Sequence, residues 1–529
     1  MSTSTSTAAA DRTLVTALRE RLQLDTGEAV SLVETHISWV LLTSRLAYKL
    51  KKPVYLGFVD FSTLAARKHF CEEEVRLNRR LAPSLYIGVV AVCGSAQAPH
   101  LGEGDPIEFA VCMRRFSEDA LLQRLVPAGR LELDRLEQFA HRLASFHGRA
   151  QIAAPESEFA TPDQVGRPVV DALARLRVDA GARPTRDLQT WIFEQRKALR
   201  TAWFARQRSG AVRECHGDLH LANVVLIDDQ LTAFDCIEFD PALRWIDVMS
   251  DVAFLTMDLE AHGRRDLAFR FLDAYLQHSG DYAGMQVLRF YEVYRALVRA
   301  LVGRFRVRAG AAQPGGPDYL ACATRLARMP NSAPRLMLTH GLSGSGKSTM
   351  AAALLAVAGA IRIRSDVERK RLFGLEPHER SIDHPTNIYS REATERTFAR
   401  LAECARTALQ AGYPVIVDAA FLRRDERLLF RALAAQLHVP FSILRCRAGE
   451  ADLRRRIVAR EAQGRDPSEA TLDVLERQLA TQEPLDPGEC AAVLDVATDA
   501  PVDVDALGAR WLALSLPPIT RRPAGWSAS

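Results

Sequence analysis

The stretch CHGDLHLANVVL, Cys215–Leu226, sets two histidines, an aspartate and an asparagine directly ahead of an apolar run. A polar turn entering a core strand would account for one or two of these side chains. Asp218 and Asn223 stand five residues apart, and Asp235 follows Asn223 by twelve, inside AFDCIEFD. Between them VVLI and LTAFD read as two short strands joined by the turn DDQ. That spacing folds three oxygen-bearing side chains to one end of a hairpin. A carboxylate can orient an acceptor hydroxyl and take its proton. An amide and a second carboxylate supply the hard oxygens that a magnesium ion prefers. The D-x-x-x-x-N spacing is that of a phosphotransferase catalytic loop, with Asp218 as proton acceptor and Asn223 and Asp235 as metal ligands. His216 reads as a structural hydrogen bonder rather than a base, and Cys215 as a small packed residue.

Working outward, strand-like HISWVLLT and AYKLKKPV form a predicted hairpin before the helical STLAARKHFCEEEVRLNRRLAP. SLYIGVVAVCG and IEFAVCMRRF are two more strand candidates. Residues 30–117 thus read as a small strand-rich lobe, and 118–310 as a helical lobe interrupted by the catalytic loop. Residues 1–29 read as a Ser/Thr/Ala tail and a leading helix.

A second motif opens a second domain. GLSGSGKST, Gly341–Thr349, fills every fixed place of G-x-x-x-x-G-K-[ST], follows the strand-like RLMLTH and starts a helical pattern. Glycines 341, 344 and 346, with Ser343 and Ser345, let the backbone curl so that its N–H groups face phosphates. Lys347 reaches the terminal phosphates, and Ser348 and Thr349 open the helix, the Ser348 hydroxyl facing magnesium. AIRIRSD, PVIVDA and FSILRC continue the strand–helix rhythm of a parallel sheet. Asp366 and Asp418 end two of these strands, at the edge where ligands bind. Asp366 is the candidate for engaging an acceptor hydroxyl, and Asp418 for holding magnesium. Arg456 and Arg460 share a helix face and could clamp the transferring group. The domain is set at 334–516, after a Gly/Pro/Ala-rich connector at 311–333 and before a tail at 517–529.

The first half resembles the aminoglycoside phosphotransferase branch of the protein-kinase-like fold, through HGDLHLANVVL and FDCIEFD, over about residues 30–310. The resemblance implies a strand lysine that holds ATP phosphates and a helix glutamate that pairs with it. Lys49 and Lys51 both qualify. They lie on one face of a strand, so alternation does not separate them, although AYK closing the apolar stretch favours Lys49. Glu74 is the implied partner, and Met113 lies at the implied adenine hinge. The glycine-rich loop of protein kinases is absent from VETHISWVLLT. The second half resembles the P-loop small-molecule and polynucleotide kinases, including gluconate kinases and zeta toxins. The shared pieces are GLSGSGKST, RSDVERKRLFG, VIVDAAF and LRRRIVAREAQGRDPSEA, and the resemblance places Arg456 and Arg460 on a lid.

The fold class expected is therefore multidomain: a bilobal protein-kinase-like α+β half and an α/β P-loop half with a parallel sheet. The activity expected is a tandem ATP- and Mg2+-dependent phosphotransfer to hydroxyls of small molecules, with sequential phosphorylation, the product of one site passing to the other, as one concrete model. The alternatives are a polynucleotide 5′-hydroxyl kinase in the second half, or an ATP-binding, toxin-like regulator without turnover. In 529 residues, 69 basic against 65 acidic side chains leave a formal charge of only +4. This balance, with no aromatic-basic platform, disfavours a nucleic-acid partner. Nine scattered cysteines without a C-x-x-C pair point to a reducing compartment. With neither a signal-peptide pattern nor a membrane-length apolar run, a cytoplasmic protein is expected. The sequence leaves the acceptor and the oligomeric state open.

Overall fold

The computed structural model describes residues 3–57, 59–180, 182–308, 316–328, 333–381, 385–464 and 466–515. The expected tail at 517–529 and much of the connector lie outside them. The chain divides into two compact units, residues 1–264 with 290–324, and residues 265–289 with 325–529. The architecture is mixed α/β, with an antiparallel sheet in the first unit and a parallel sheet in the second. No helix among the described residues is long and apolar enough to cross a membrane.

Unit 1 begins with a helix at Thr3–Thr26 rather than a free tail. Nothing in the sequence breaks it before Gly27, whose φ of 68° and N–H bond to the Gln23 carbonyl (2.9 Å) close it with a left-handed cap. Val15, Leu18 and Leu22 share a face and pack with Trp39, Leu41, Leu50 and Val92. The sheet comprises β1 (Ser31–Glu34), β2 (Ser38–Leu42), β3 (Leu46–Lys51), β4 (Tyr86–Ser95), β5 (Ala98–Leu101) and β6 (Pro106–Arg114). Its order is β1-β2-β3-β6-β4-β5, antiparallel throughout. The helix Leu64–Asn78, capped by Thr63, buries Arg67, Cys71, Glu74, Val75 and Asn78, one face of a 3.6-residue period. Two further pairs flank the loop that holds Asp218 and Asn223. These are β7 (Val212–Glu214) with β10 (Trp245–Asp247), and the hairpin β8 (Val224–Ile227) with β9 (Gln230–Ala233). The hairpin turns through Asp228 and Asp229 at φ 47° and 64°, the left-handed pair a tight two-residue turn requires.

Unit 2 holds a five-stranded parallel sheet of β11 (Leu336–His340), β12 (Ile361–Arg364), β13 (Val415–Asp418), β14 (Phe441–Arg447) and β15 (Val493–Ala497), ordered β12-β13-β11-β14-β15. The central strands β11 and β13 are buried along their whole length, as expected of a sheet covered on both faces. The chain leaves β11 through Gly341–Gly346 and enters the helix Lys347–Ala358. The segment Arg265–Arg289 belongs to this unit: Phe269 meets the Tyr413 ring edge-on, and the Arg289 guanidinium lies 4.7 Å from the centre of that ring.

Candidate active sites

In unit 1 two lysines on the sheet, Glu74 on the helix Leu64–Asn78, and Asp235 and Glu238 bring five charges together. Lys49 Nζ lies 2.8 Å from Glu74 Oε1 and 2.6 Å from Asp235 Oδ1. Lys51 Nζ lies 2.8 Å from Glu74 Oε2 and also binds Glu238. Glu74 therefore holds both candidate lysines, one on each carboxylate oxygen. Burial alone would raise its pKa, but the two ammonium groups overcome this and hold it at about 2. The lysines differ in what else they meet. Lys51 is 1% exposed and closed in by Glu238, whereas Lys49 reaches Asp235, whose side chain is 45% exposed. Burial opposes the charge on Lys49, yet Asp235 and Glu74 raise its pKa well above the ordinary value.

Asn223 Nδ2 donates to the Asp218 carbonyl (2.9 Å) and to Asp218 Oδ2 (3.0 Å), which leaves its amide oxygen uncommitted by these bonds. The Phe234 N–H donates to the Asn223 carbonyl (3.0 Å), so Asp235 is one residue from a direct tie to Asn223. Asp235 itself sits at φ 62°, a left-handed conformation that aspartate tolerates better than most residues, and its N–H donates to Tyr86 Oη (3.1 Å). Burial would raise the Asp218 pKa, but His220, His216 and Arg299 outweigh it and keep the carboxyl ionised. Asp218, Asn223, Asp235, Lys49 and Glu74 thus form one connected cluster, and their uncommitted oxygens suit a hard divalent cation.

Two buried carboxylates, two helical turns apart on Val248–Ala261, fasten this loop. Asp251 accepts the N–H groups of His216 (2.7 Å) and Gly217 (2.8 Å), and Asp258 accepts that of Leu221 (2.9 Å). Gly217 is obligatory: at φ 88°, a Cβ would stand 2.5 Å from the Leu243 carbonyl oxygen. His216 bonds the Phe234 carbonyl through Nε2 (2.9 Å), a structural hydrogen bond. Asp240 caps the helix Pro241–Arg244 and Asp247 pairs with Arg206, so the acidic run after Asp235 is tied into the scaffold. Met113 sits on β6 in the apolar cluster with Ala47, Val75 and Val111, against which Val40, Leu42, Phe116, Ile227 and Phe234 pack. Asp258 and Arg299 were missed in the sequence, whereas Glu238 and Asp251 stand in the acidic run IEFDPALRWIDVMSD. The detectable signal was an aspartate pair seven residues apart in the otherwise apolar VMSDVAFLTMDLEA.

In unit 2 the P-loop is shaped by its glycines. A Cβ on Gly341 (φ 145°) would lie 2.4 Å from the Cys446 carbonyl oxygen, and one on Gly344 (φ 81°) 2.6 Å from that of Leu453. Lys347 Nζ donates to the Leu342 carbonyl (2.7 Å), and burial lowers its pKa. The Ser343 N–H donates to Gln478 Oε1 (2.8 Å), while the buried Ser345 hydroxyl has no hydrogen-bond partner. Ser348 Oγ lies 3.2 Å from Asp418 Oδ1, and Asp418 Oδ2 is buried without a hydrogen bond. This oxygen pair fits magnesium, with Thr349 one residue on in the first helical turn. Asp366 lies two residues past Arg364, which is in register with Asp418 across β12 and β13, and its charge acts on Lys347. Asp366 occupies the first turn of the helix Ser365–Leu372, whose cap residue is Arg364. Arg369 stands over the Tyr389 ring, with a buried Nε that has no partner. Arg456 and Arg460, expected on a lid, part company. Arg456 is committed to the Gly344 carbonyl (3.2 Å) and to Thr498, whereas Arg460 bonds the Ala470 carbonyl and keeps a buried Nε without a partner.

Residues 336–485 match the family described as AAA domain. The uncharacterized protein Rv2004c of Mycobacterium tuberculosis is 33% identical over 463 residues, covering 86% of this chain and 90% of that protein. The chain belongs to the same family as this mycobacterial protein. Among solved structures, a choline/ethanolamine kinase family protein from Mesorhizobium loti aligns with 57% of this chain and 86% of its own, at 13% identity and a TM-score of 0.35. A gluconokinase from Sinorhizobium meliloti aligns with 34% of this chain and 93% of its own, at 22% identity and a TM-score of 0.25.

Proposed function

We propose that the protein is a tandem ATP-dependent phosphotransferase. Each unit transfers the γ-phosphoryl group of magnesium-ATP to a hydroxyl of a small molecule: a sugar, polyol, nucleoside or amino alcohol. The observation that carries this reading is the recurrence of one set of groups on two unlike sheets. Each unit offers a buried lysine amine, an oxygen pair suited to a divalent ion, and a further carboxylate beside them. In unit 1 these are Lys49, Asn223 with Asp235, and Asp218. In unit 2 they are Lys347, Ser348 with Asp418, and Asp366. Lysine and metal together neutralise the polyphosphate, while the carboxylate orients the attacking hydroxyl and accepts its proton. Nucleotide binding alone would not call for the last group. A cytoplasmic location suits ATP as the common donor.

The test is ATP consumption by the wild type, Asp218→Ala and Lys347→Ala across sugars, polyols, nucleosides, amino alcohols, aminoglycosides and 5′-hydroxyl oligonucleotides. Two acceptor-dependent activities are expected, Asp218→Ala lowering one and Lys347→Ala the other by about 100-fold or more. Acceptor-independent ATP use, or activity indifferent to both substitutions, overturns the reading.

A further inference from the structure

Arg362, on β12, places a buried cation beside the oxygens that would hold a dication. Its Nη1 donates to the Ser348 carbonyl (3.1 Å) and stands 3.9 Å from Asp418 Oδ2. Its closer carboxylate partner is Asp273, on the helix Arg265–Ser279. Asp273 Oδ2 accepts from Arg362 Nη2 (2.7 Å) and Oδ1 from Nε (3.3 Å), with both side chains under 10% exposed. Gln277 Nε2 also donates to Asp273 Oδ2 (2.6 Å), fixing the carboxylate, and Tyr282 Oη donates to the Arg362 carbonyl (3.3 Å), fixing the strand residue from the same segment. Asp273 lies 61 residues before the P-loop domain that the sequence delimits at 334, and no motif marks it.

We propose that Asp273 is a positioning residue for the divalent-ion site of unit 2. It neutralises and tethers Arg362, so that Asp418 Oδ2, which Arg364 Nε already approaches to 3.7 Å, is not closed by a second guanidinium. The inference rests on Ser348 and Asp418 being the magnesium oxygens, as in the function proposed above. Without Asp273 the guanidinium has one carboxylate left within reach, and that is Asp418. Closing the 3.9 Å gap would occupy Oδ2, and the uncompensated charge would oppose an incoming dication at short range and low dielectric.

The experiment follows nucleotide binding by calorimetry as Mg2+ is titrated, in the full chain with the unit 1 site disabled by Asp235→Ala. Asp273→Asn is expected to raise the half-saturating Mg2+ concentration at least about tenfold, with metal-free nucleotide binding unchanged. Arg362→Gln is expected to leave it unchanged or lower it. The double variant Asp273→Asn/Arg362→Gln is expected to return to within about threefold of the parent. Asp273→Asn binding like the parent, or a double variant no better than Asp273→Asn, overturns the inference alone. Should Asp273→Asn fail to fold, Arg362→Gln decides: a tenfold weakening there overturns it. A parent without Mg2+-dependent nucleotide binding that Lys347→Ala abolishes overturns the proposed function of unit 2, and this inference with it.

Discussion

Lys49 and Lys51 share a strand face and a carboxylate, and the structure gives them different work. Lys51 is sealed between Glu74 and Glu238, so replacing it by methionine strands the buried Glu238 and leaves one Glu74 oxygen without its ammonium partner. A loss of about 3–5 kcal/mol is expected, read as a fall in the unfolding midpoint of unit 1. Lys49→Met leaves Glu74 its second lysine and Asp235 half-open to water. It should cost clearly less stability while abolishing nucleotide binding in unit 1. Alternation placed both lysines on one face and went no further. What separates them is Glu238, 187 residues on, and a sequence does not display so distant a partner. Glu426 offers a second test. Burial in unit 2 raises its pKa from 4.5 to about 7. Between these values the folded chain holds a proton that the unfolded chain has released, so stability falls as pH rises from about 4.5 to 7. Glu426→Gln should flatten that slope and leave unit 2 more stable than the wild type at pH 8, measured by thermal unfolding.

Among elements, the helix Val248–Ala261 bears most directly on the unit 1 site. It is buried on nearly every side, yet it carries Asp251 and Asp258, which hold opposite ends of the catalytic loop. Asp251→Ala strips acceptors from two buried backbone N–H groups. It should cost about 2–4 kcal/mol and lower unit 1 turnover more than nucleotide affinity, since Asp218 directly follows the freed residues. The strands with a dense apolar core announced themselves in sequence: β2, β3, β4 and β6 in one sheet, β11 to β14 in the other. In these two sheets the strands that escaped notice were β1, β5 and β15. All three are edge strands, and β15, in VLDVA, interrupts its apolar run with an aspartate that pairs with Arg445 and Arg447. An edge strand satisfies one neighbour and the solvent together, so its pattern blurs into that of a loop. The site motifs were legible because their spacing is short: five residues from Asp218 to Asn223, nine for the P-loop. Their anchors Asp258 and Asp273 were not, because each acts across a long stretch of chain.

At the scale of the whole molecule, the two units do not follow one another along the chain. It passes from one to the other at Arg264–Arg265, at Arg289–Phe290 and at Thr324–Arg325. A fragment beginning at residue 334 would lack the partners of Arg362, Tyr413 and Arg371, since Asp273, Phe269, Arg289 and His278 all precede it. Expressed alone, residues 334–516 should unfold at least about 10 °C below the same unit in the full chain, or fail to stay in solution, as differential scanning calorimetry and sedimentation would show. Because Arg265–Arg289 is covalently bound at both ends to unit 1, one proteolytic nick near Thr324 would not set the halves free. Nor could a gene fission at that point yield two self-sufficient enzymes. The two sites are bound to be made, inherited and degraded as one.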